Sequence, residues 1–173
     1  PALEGAQVAY TWRELEPQKD AYDFRPIRED LAFLTSRRKK LFVQFQDVSF
    51  SATRTNLPNY LLRESRYHGG AEKQYSSKGG DQTRPVVAGW TARRWDPAVQ
   101  KRLCQLFNAL GREFDGRIEG INTAESAIAI AESGPLRPKG FSSEIYRDAI
   151  ITNMKALKEA FPRSVTMEYG NFK

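Results

Sequence analysis

Two carboxylates stand where strand-like runs end, and a pair of carboxylates is what general acid–base chemistry requires. Glu125 follows "RIEGINTA", and Glu168 sits within "SVTMEYG". A glutamate at a strand end can be aimed into a cleft. There, burial or a neighbouring negative charge raises its pKa into the range useful for proton transfer. A glutamate in a solvated loop does nothing of the kind, and for Glu125 both readings stand. Strand alternation puts Thr166 and Glu168 on one face, with Val165, Met167 and Tyr169 on the other. A carboxylate on a buried strand needs a partner or a task. Glu168 is therefore expected either to orient a substrate or to hold a structural salt bridge.

Other side chains could bind a ligand around these acids. Gln44 and Gln46 alternate with Val43 and Phe45 in "KLFVQFQ", and Asp47 comes next. Amides there suit hydroxyl groups or one another. Asn122 closes "RIEGIN" three residues before Glu125. Trp12 and Arg13 leave the first apolar run, and Trp90 and Trp95 flank Arg93-Arg94. An indole offers an apolar face and a polar edge, so each tryptophan is a stacking candidate or a core residue. Glu16 before Pro17 reads as turn architecture, His68 as a solvated loop residue, and Cys104 as a small core residue.

Composition narrows the chemistry. With one cysteine and one histidine in 173 residues, a disulfide within the chain, a His/Cys zinc site and a Ser/His/Asp triad are not expected. No metal or cofactor is called for, and the compartment is left open. The net charge of +6 is dispersed, with Arg37-Arg38-Lys39-Lys40 expected at a helix end, which argues against a nucleic-acid surface. No apolar run approaches the roughly 18–20 residues that cross a bilayer. The chain opens on Pro1-Ala2-Leu3 with no signal-like segment and closes on Asn171-Phe172-Lys173, so both ends are expected to lie within a longer polypeptide.

The elements that must position these residues can be read from periodicity. "AQVAYTW" (6–12) is β-rich. "RPIREDLAFLTSRRKK" carries Ile27, Leu31 and Leu34 at helical spacing behind Pro26. "KLFVQFQ" (40–46) is a second strand. Asp96-Pro97 caps a helix with Val99, Leu103, Leu106, Phe107 and Leu110 at helical spacing, ended by Gly111 and Asp115-Gly116. "RIEGIN" (117–122) is a third strand. A helix over about 142–160 has Ile145, Ala149, Met154 and Leu157 among its apolar positions, and "SVTMEYG" (164–170) is the fourth strand. Strands alternating with helices imply a parallel sheet. No GxGxxG or GxxxxGK[ST] follows any strand, so a nucleotide-binding sheet is not expected. The fold class is α/β, and the 173 residues form one partial (β/α)8-barrel domain covering about half the cylinder. Residues 47–95 read as a long loop insertion with Gly69-Gly70 and Gly79-Gly80 and one short helix at "LPNYLL" (57–62). Leaving a strand's C-terminal end, it would lie over an active-site face.

Several of these stretches resemble clan-A-type glycoside hydrolases. "VAYTWRELEPQKDAYDFRPIREDLAFL" looks like the family's second βα unit, through Trp12, Leu15-Glu16-Pro17, Tyr22-Asp23-Phe24, Ile27 and Leu31. "KKLFVQFQD" resembles the third strand, and "LPNYLL" the segment that follows it in β-galactosidase-like members. "EGINTAES" resembles the fourth strand, whose end carries the general acid/base glutamate. The similarity runs from about residue 6 to 170 and implies a chain spanning roughly strands 2 to 5. The family often has Asn directly before that glutamate; here Ala124 precedes Glu125 and Asn122 is the nearest Asn.

The resemblance implies hydrolysis of O-glycosidic bonds, which uses two carboxyl groups about 5–5.5 Å apart in retaining enzymes and roughly 6.5–9.5 Å apart in inverting ones. Glu125 would be the acid/base and Glu168 the second candidate catalytic carboxylate. The family nucleophile, at the end of the seventh strand, would lie outside this chain. Trp12, Arg13, Gln44, Gln46, Asp47, Trp90, Trp95 and Asn122 would bind the carbohydrate. The alternative is a non-catalytic carbohydrate-binding or scaffold barrel. Half a cylinder leaves two sheet edges unpaired, so the remainder of the barrel or a second copy of the chain is the expected partner.

Overall fold

The computed structural model describes residues 3–77, 85–131 and 133–171; Gly79-Gly80 lies outside them. In chain order the elements are β1 (Gly5–Thr11), α1 (Trp12–Leu15), α2 (Arg25–Thr35), β2 (Lys40–Gln46), β3 (Val48–Ser49), α3 (Asn59–Arg63), a 3₁₀ turn (Ser65–Tyr67), β4 (Ala71–Ser77), β5 (Pro85–Ala92), α4 (Pro97–Phe114), β6 (Gly120–Asn122), α5 (Ser143–Ala160) and β7 (Val165–Met167). Among the described residues β1, β2, β6 and β7 pair in that order, all parallel. The expected alternation of strands and helices is thus present, and α3 falls where "LPNYLL" places it.

Local chemistry accounts for the helices. Asp96 accepts from the Ala98 and Val99 amides at 2.9 and 3.2 Å, satisfying two orphan donors of α4, while Pro97 occupies its first turn. Ser142 does the same for α5 through the Ile145 amide at 3.2 Å. Helix α2 lacks a side-chain cap and carries Pro26 in its first turn, with Ile27 and Leu31 buried one turn apart. The basic cluster lies past the end of α2 rather than in its last turn, since Arg37–Lys39 form the turn into β2. Arg37 nonetheless donates to the Phe33 carbonyl at 3.1 Å. Ile145 and Met154 of α5 are exposed, and its buried stripe is Ala149, Asn153 and Leu157.

The sheet has one covered face. Leu41, Val43, Phe45 and Ile121 meet Val99, Leu103, Leu106 and Phe107 of α4 in the core. Aromatic edges lock it: Phe45 and Phe107 pack with centroids 5.6 Å apart, and Phe24 and Phe114 at 5.7 Å. Tyr10 faces the same way, its hydroxyl donating to Asp30 of α2 at 2.7 Å. Parallel register puts Gln7, Phe42, Gln44, Asn122 and Met167 on the opposite, helix-free face. There Val165, Met167 and Tyr169 are 48%, 41% and 38% exposed. In a closed barrel that face is the interior.

The insertion differs from its sequence reading. Rather than a loop, it carries a three-stranded antiparallel sheet in the order β3-β5-β4. Its strands mix polar and apolar residues without a continuous apolar face, so period-2 patterning gave little signal. A second small core of Trp95, Ile128, Ile130, Phe141 and Ala149 ties the end of the insertion to the segment between β6 and α5.

Candidate functional site

All four parallel strands end on the same side of the sheet, and Glu125 lies three residues beyond β6 at that end. It lines a pocket of about 300 Å³ with Gln44, Gln46, Val48, Phe50, Ala124, Tyr169 and Asn171. Glu125 is half-buried, and its Oε2 accepts from the Asn171 side-chain amide. Three amides, a phenol and one carboxyl group converge here. Such a set can hydrogen-bond several hydroxyls while one group moves a proton. A larger compartment of about 670 Å³ adjoins it, sharing Gln46, Val48 and Phe50 and adding Thr11, Arg13, Glu14, Arg54 and Asn56 among others.

The Glu125 segment is held from beneath. Arg94, buried, donates from Nη2 and Nε to Asp47 at 2.6 and 2.7 Å, and from Nη1 to the Glu125 carbonyl at 3.1 Å. The same Nη1 donates to the Tyr146 hydroxyl at 3.2 Å, which in turn donates to the Ser126 carbonyl at 2.7 Å. Burial pulls the Arg94 pKa down, but the charge and hydrogen bonds of Asp47 more than offset it, so the guanidinium stays charged. The insertion thus delivers a buried ion pair whose free corner fixes the backbone of Glu125.

Glu168, the other expected catalytic carboxylate, is not among the described residues that line the Glu125 pocket. Glu168 lies just past β7 on the helix-facing side, because alternation turns it away from Met167 and Tyr169. Its Oε2 accepts from the Thr123 hydroxyl, while Oε1 is buried with no partner among the described residues. Burial raises the Glu168 pKa, the Thr123 hydrogen bond and Arg94 oppose that rise, and Asp47 adds to it. This second candidate carboxylate, Glu168, thus sits against Thr123 behind the sheet and not among the residues lining the Glu125 pocket.

Trp12 is likewise corrected. Thr11 and Glu14 form a capping box that starts α1 at Trp12 and turns its indole into the core. Fully buried, it donates to Glu16 Oε2 at 2.9 Å and packs against Phe45, leaving no face for a ligand. Glu16 is itself buried against Arg102 and accepts from the Tyr60 hydroxyl at 2.9 Å, an architectural role as expected. Asp47 commits both oxygens to Arg94 instead of a hydroxyl ligand. Trp95 is buried edge-on against Phe141 and Tyr146, with centroids 5.0 and 6.1 Å away. Trp90 is half-buried and donates to the Ala52 carbonyl at 3.1 Å, bracing a loop.

Of the remaining candidates, Gln44 and Gln46 join Glu125 in the pocket. Asn122 is fully buried, taking a hydrogen bond from Gln7 at 2.8 Å and donating to the Thr123 carbonyl at 2.7 Å, so it holds the strand end instead of facing a ligand. Arg13 lines the adjoining compartment, donating to the Leu57 carbonyl and Thr55 Oγ1, each at 2.9 Å. His68 is exposed, although Nδ1 contacts Asp96 Oδ2 at 2.7 Å. Sequence reasoning missed Phe50, Tyr169 and Asn171 as pocket residues, and Arg94 and Tyr146 beneath them. Tyr169 was legible from its alternation with Met167. Phe50, an aromatic between serines in a polar stretch, was the other available signal.

Among the described residues no cluster of His, Cys, Asp or Glu could hold a metal ion, and no helix is long and apolar enough to cross a membrane. No family model matches the sequence, and no curated protein matches it significantly. Solved structures do match. Xylanase XynB from Paenibacillus barcinonensis superposes with a TM-score of 0.54 at 16% identity, over 95% of this chain and 42% of that one. Xylanase 10B from Thermotoga maritima gives 0.53 at 16%, over 92% and 39%. An exo-β-1,4-mannosidase from Opitutaceae bacterium strain TAV5 gives 0.56 at 12%, over 95% and 25%. This chain therefore spans well under half the length of the structures it matches. Its fold is part of the (β/α)8 barrel found in these clan-A-type glycoside hydrolases.

Proposed function

We propose that the chain belongs to a protein that hydrolyses O-glycosidic bonds, with Glu125 as general acid/base. The observation that carries this is the placement of Glu125 at the C-terminal end of the parallel sheet, in a pocket walled by Gln44, Gln46, Tyr169 and Asn171. Barrel enzymes keep their chemistry at that end. Glu125 would protonate the leaving oxygen and then deprotonate water, while the amides hold sugar hydroxyls. The nucleophile would come from outside these residues. Further βα segments covering the helix-free face would supply it, and would bury Val165, Met167 and Tyr169.

The test is Glu125→Gln in the complete protein, assayed against a panel of aryl glycosides. Removing an acid/base group lowers turnover about 10²–10⁴-fold, and unchanged turnover would remove Glu125 from the mechanism.

A second reading, a carbohydrate-binding barrel without catalysis, has one specific observation in its favour. Among the described residues, Glu125 is the sole carboxylate lining its pocket, because Glu168 points behind the sheet. Saturable glycan binding with no turnover by the complete wild-type protein would select that reading.

A further inference from the structure

Phe50 is 79% exposed at the ridge shared by the two compartments. A lone exposed apolar side chain is ordinary; what sets Phe50 apart is how firmly its loop is fixed. Ser49 Oγ donates to the Arg54 carbonyl at 2.5 Å, Asn56 Nδ2 to the Val48 carbonyl at 2.5 Å, and Trp90 Nε1 to the Ala52 carbonyl at 3.1 Å. Ser49 also pairs with Trp90 across β3 and β5. A ring on a braced loop gives up little conformational freedom when a ligand lies against it. It separates the Glu125 pocket from the compartment holding Arg13 and Arg54.

That second compartment is cationic. Arg13 spends Nε and Nη2 on the Leu57 carbonyl and Thr55, and Nη1 has no hydrogen-bond partner among the described residues. Arg54 forms no ion pair among the described residues. The carboxylate of Glu14 is already engaged, its Oε2 accepting from the Thr11 amide and hydroxyl at 2.8 and 2.7 Å. Two arginines thus line the compartment against a single carboxylate, whose Oε2 is already held by Thr11, so its net charge is positive.

Resting on the glycoside reading above, we propose that the ligand is an oligosaccharide that crosses the Phe50 ring and places an acidic, uronate-type unit beside Arg54 and Arg13. Phe50 takes the apolar face of the bridging sugar, and the guanidiniums take the carboxylate, which a planar fork suits better than an ammonium does. This makes Phe50 and Arg54 specificity-determining residues for the second subsite.

The test is retention on an array of paired neutral and uronate-containing oligosaccharides, using the complete protein carrying Glu125→Gln. The uronate members are expected to bind best. Arg54→Ala should weaken them about tenfold, which corresponds to about 1.4 kcal/mol, while leaving neutral glycans unchanged. Arg54→Lys should restore part of that loss, and Phe50→Ala should weaken both classes. Equal retention of neutral and acidic members, an acidic preference that survives Arg54→Ala, or no retention at all would overturn the subsite. An acidic preference alongside undiminished turnover by Glu125→Gln would instead overturn the acid/base role and leave the subsite standing.

Discussion

Arg94 grips both carboxylate oxygens of Asp47, at 2.6 and 2.7 Å, and the same guanidinium fixes the Glu125 carbonyl at 3.1 Å. Both partners are buried. Breaking such a pair strands a charge away from water, at a cost of about 3–5 kcal/mol. Asp47→Ala is therefore expected to lower the melting temperature by roughly 10 °C, taking about 2–4 °C per kcal/mol for a domain of this size. Replacing both partners together, Asp47→Leu with Arg94→Met, should recover much of that loss. Thermal melts of the single and double variants check this, and a single variant melting within a degree of wild type would contradict it.

Gly89 is predicted to be intolerant of a side chain. A Cβ there would lie 2.0 Å from the Ser49 carbonyl oxygen, which is backbone and cannot step aside. Gly89→Ala should push β5 from β3 and tilt the Phe50 loop, costing about 1–3 kcal/mol, the range for overpacking. Faster amide exchange at Val48 to Phe50 is the expected signature, and unchanged protection there would show that the close approach does not brace the loop.

Glu168 predicts a pH dependence. Burial raises its folded pKa above the unfolded carboxylate value, against the Thr123 hydroxyl and the Arg94 charge and with help from Asp47. The fold therefore favours the protonated form. This contribution is fully present below the unfolded pKa and is lost as pH rises through the raised folded pKa. Glu168→Gln should lose little or no stability relative to wild type once pH is well above the carboxylate range, and should be at its relative worst in acid. Melts from pH 3.5 to 8 measure the difference, and a gap that moves the other way would reverse the assignment.

How much of this was legible in the sequence depended on whether the cause was local. The helices and parallel strands were, because Asp96-Pro97, Pro26 and the alternation of Val43 and Phe45 with Gln44 and Gln46 are short-range signals. Glu125 and the two glutamines do line one pocket, since strand ends of a parallel sheet share one side. Trp12 was not, because a one-turn helix capped by Thr11 rotates it by an amount strand alternation does not anticipate. Glu168 was placed on the correct face of its strand, but which face of the sheet that was depended on register with β6, a long-range fact. Arg94 read as one of two loop cations. Its partner Asp47 lies 47 positions away, so nothing nearby in the chain marks the pair.

The helix-free face makes the last prediction. Val165, Met167 and Tyr169 stand exposed there beside Phe42, and β1 and β7 are the edges of the four-stranded sheet. Apolar surface left in water is unfavourable by about 25 cal/mol per Å², and an unpaired strand edge is a template for another strand. The 173-residue chain on its own is therefore expected to self-associate at micromolar concentration, through this face and these edges. Met167→Glu puts a charge at the centre of the face without touching the helix-side core, so it should shift the population toward monomer while the melt remains cooperative. Light scattering across a dilution series measures the association, and a thermal melt of the variant measures its cooperativity. If the wild-type chain stays monomeric at high concentration, this face is content in water, and further βα segments are not needed to cover it.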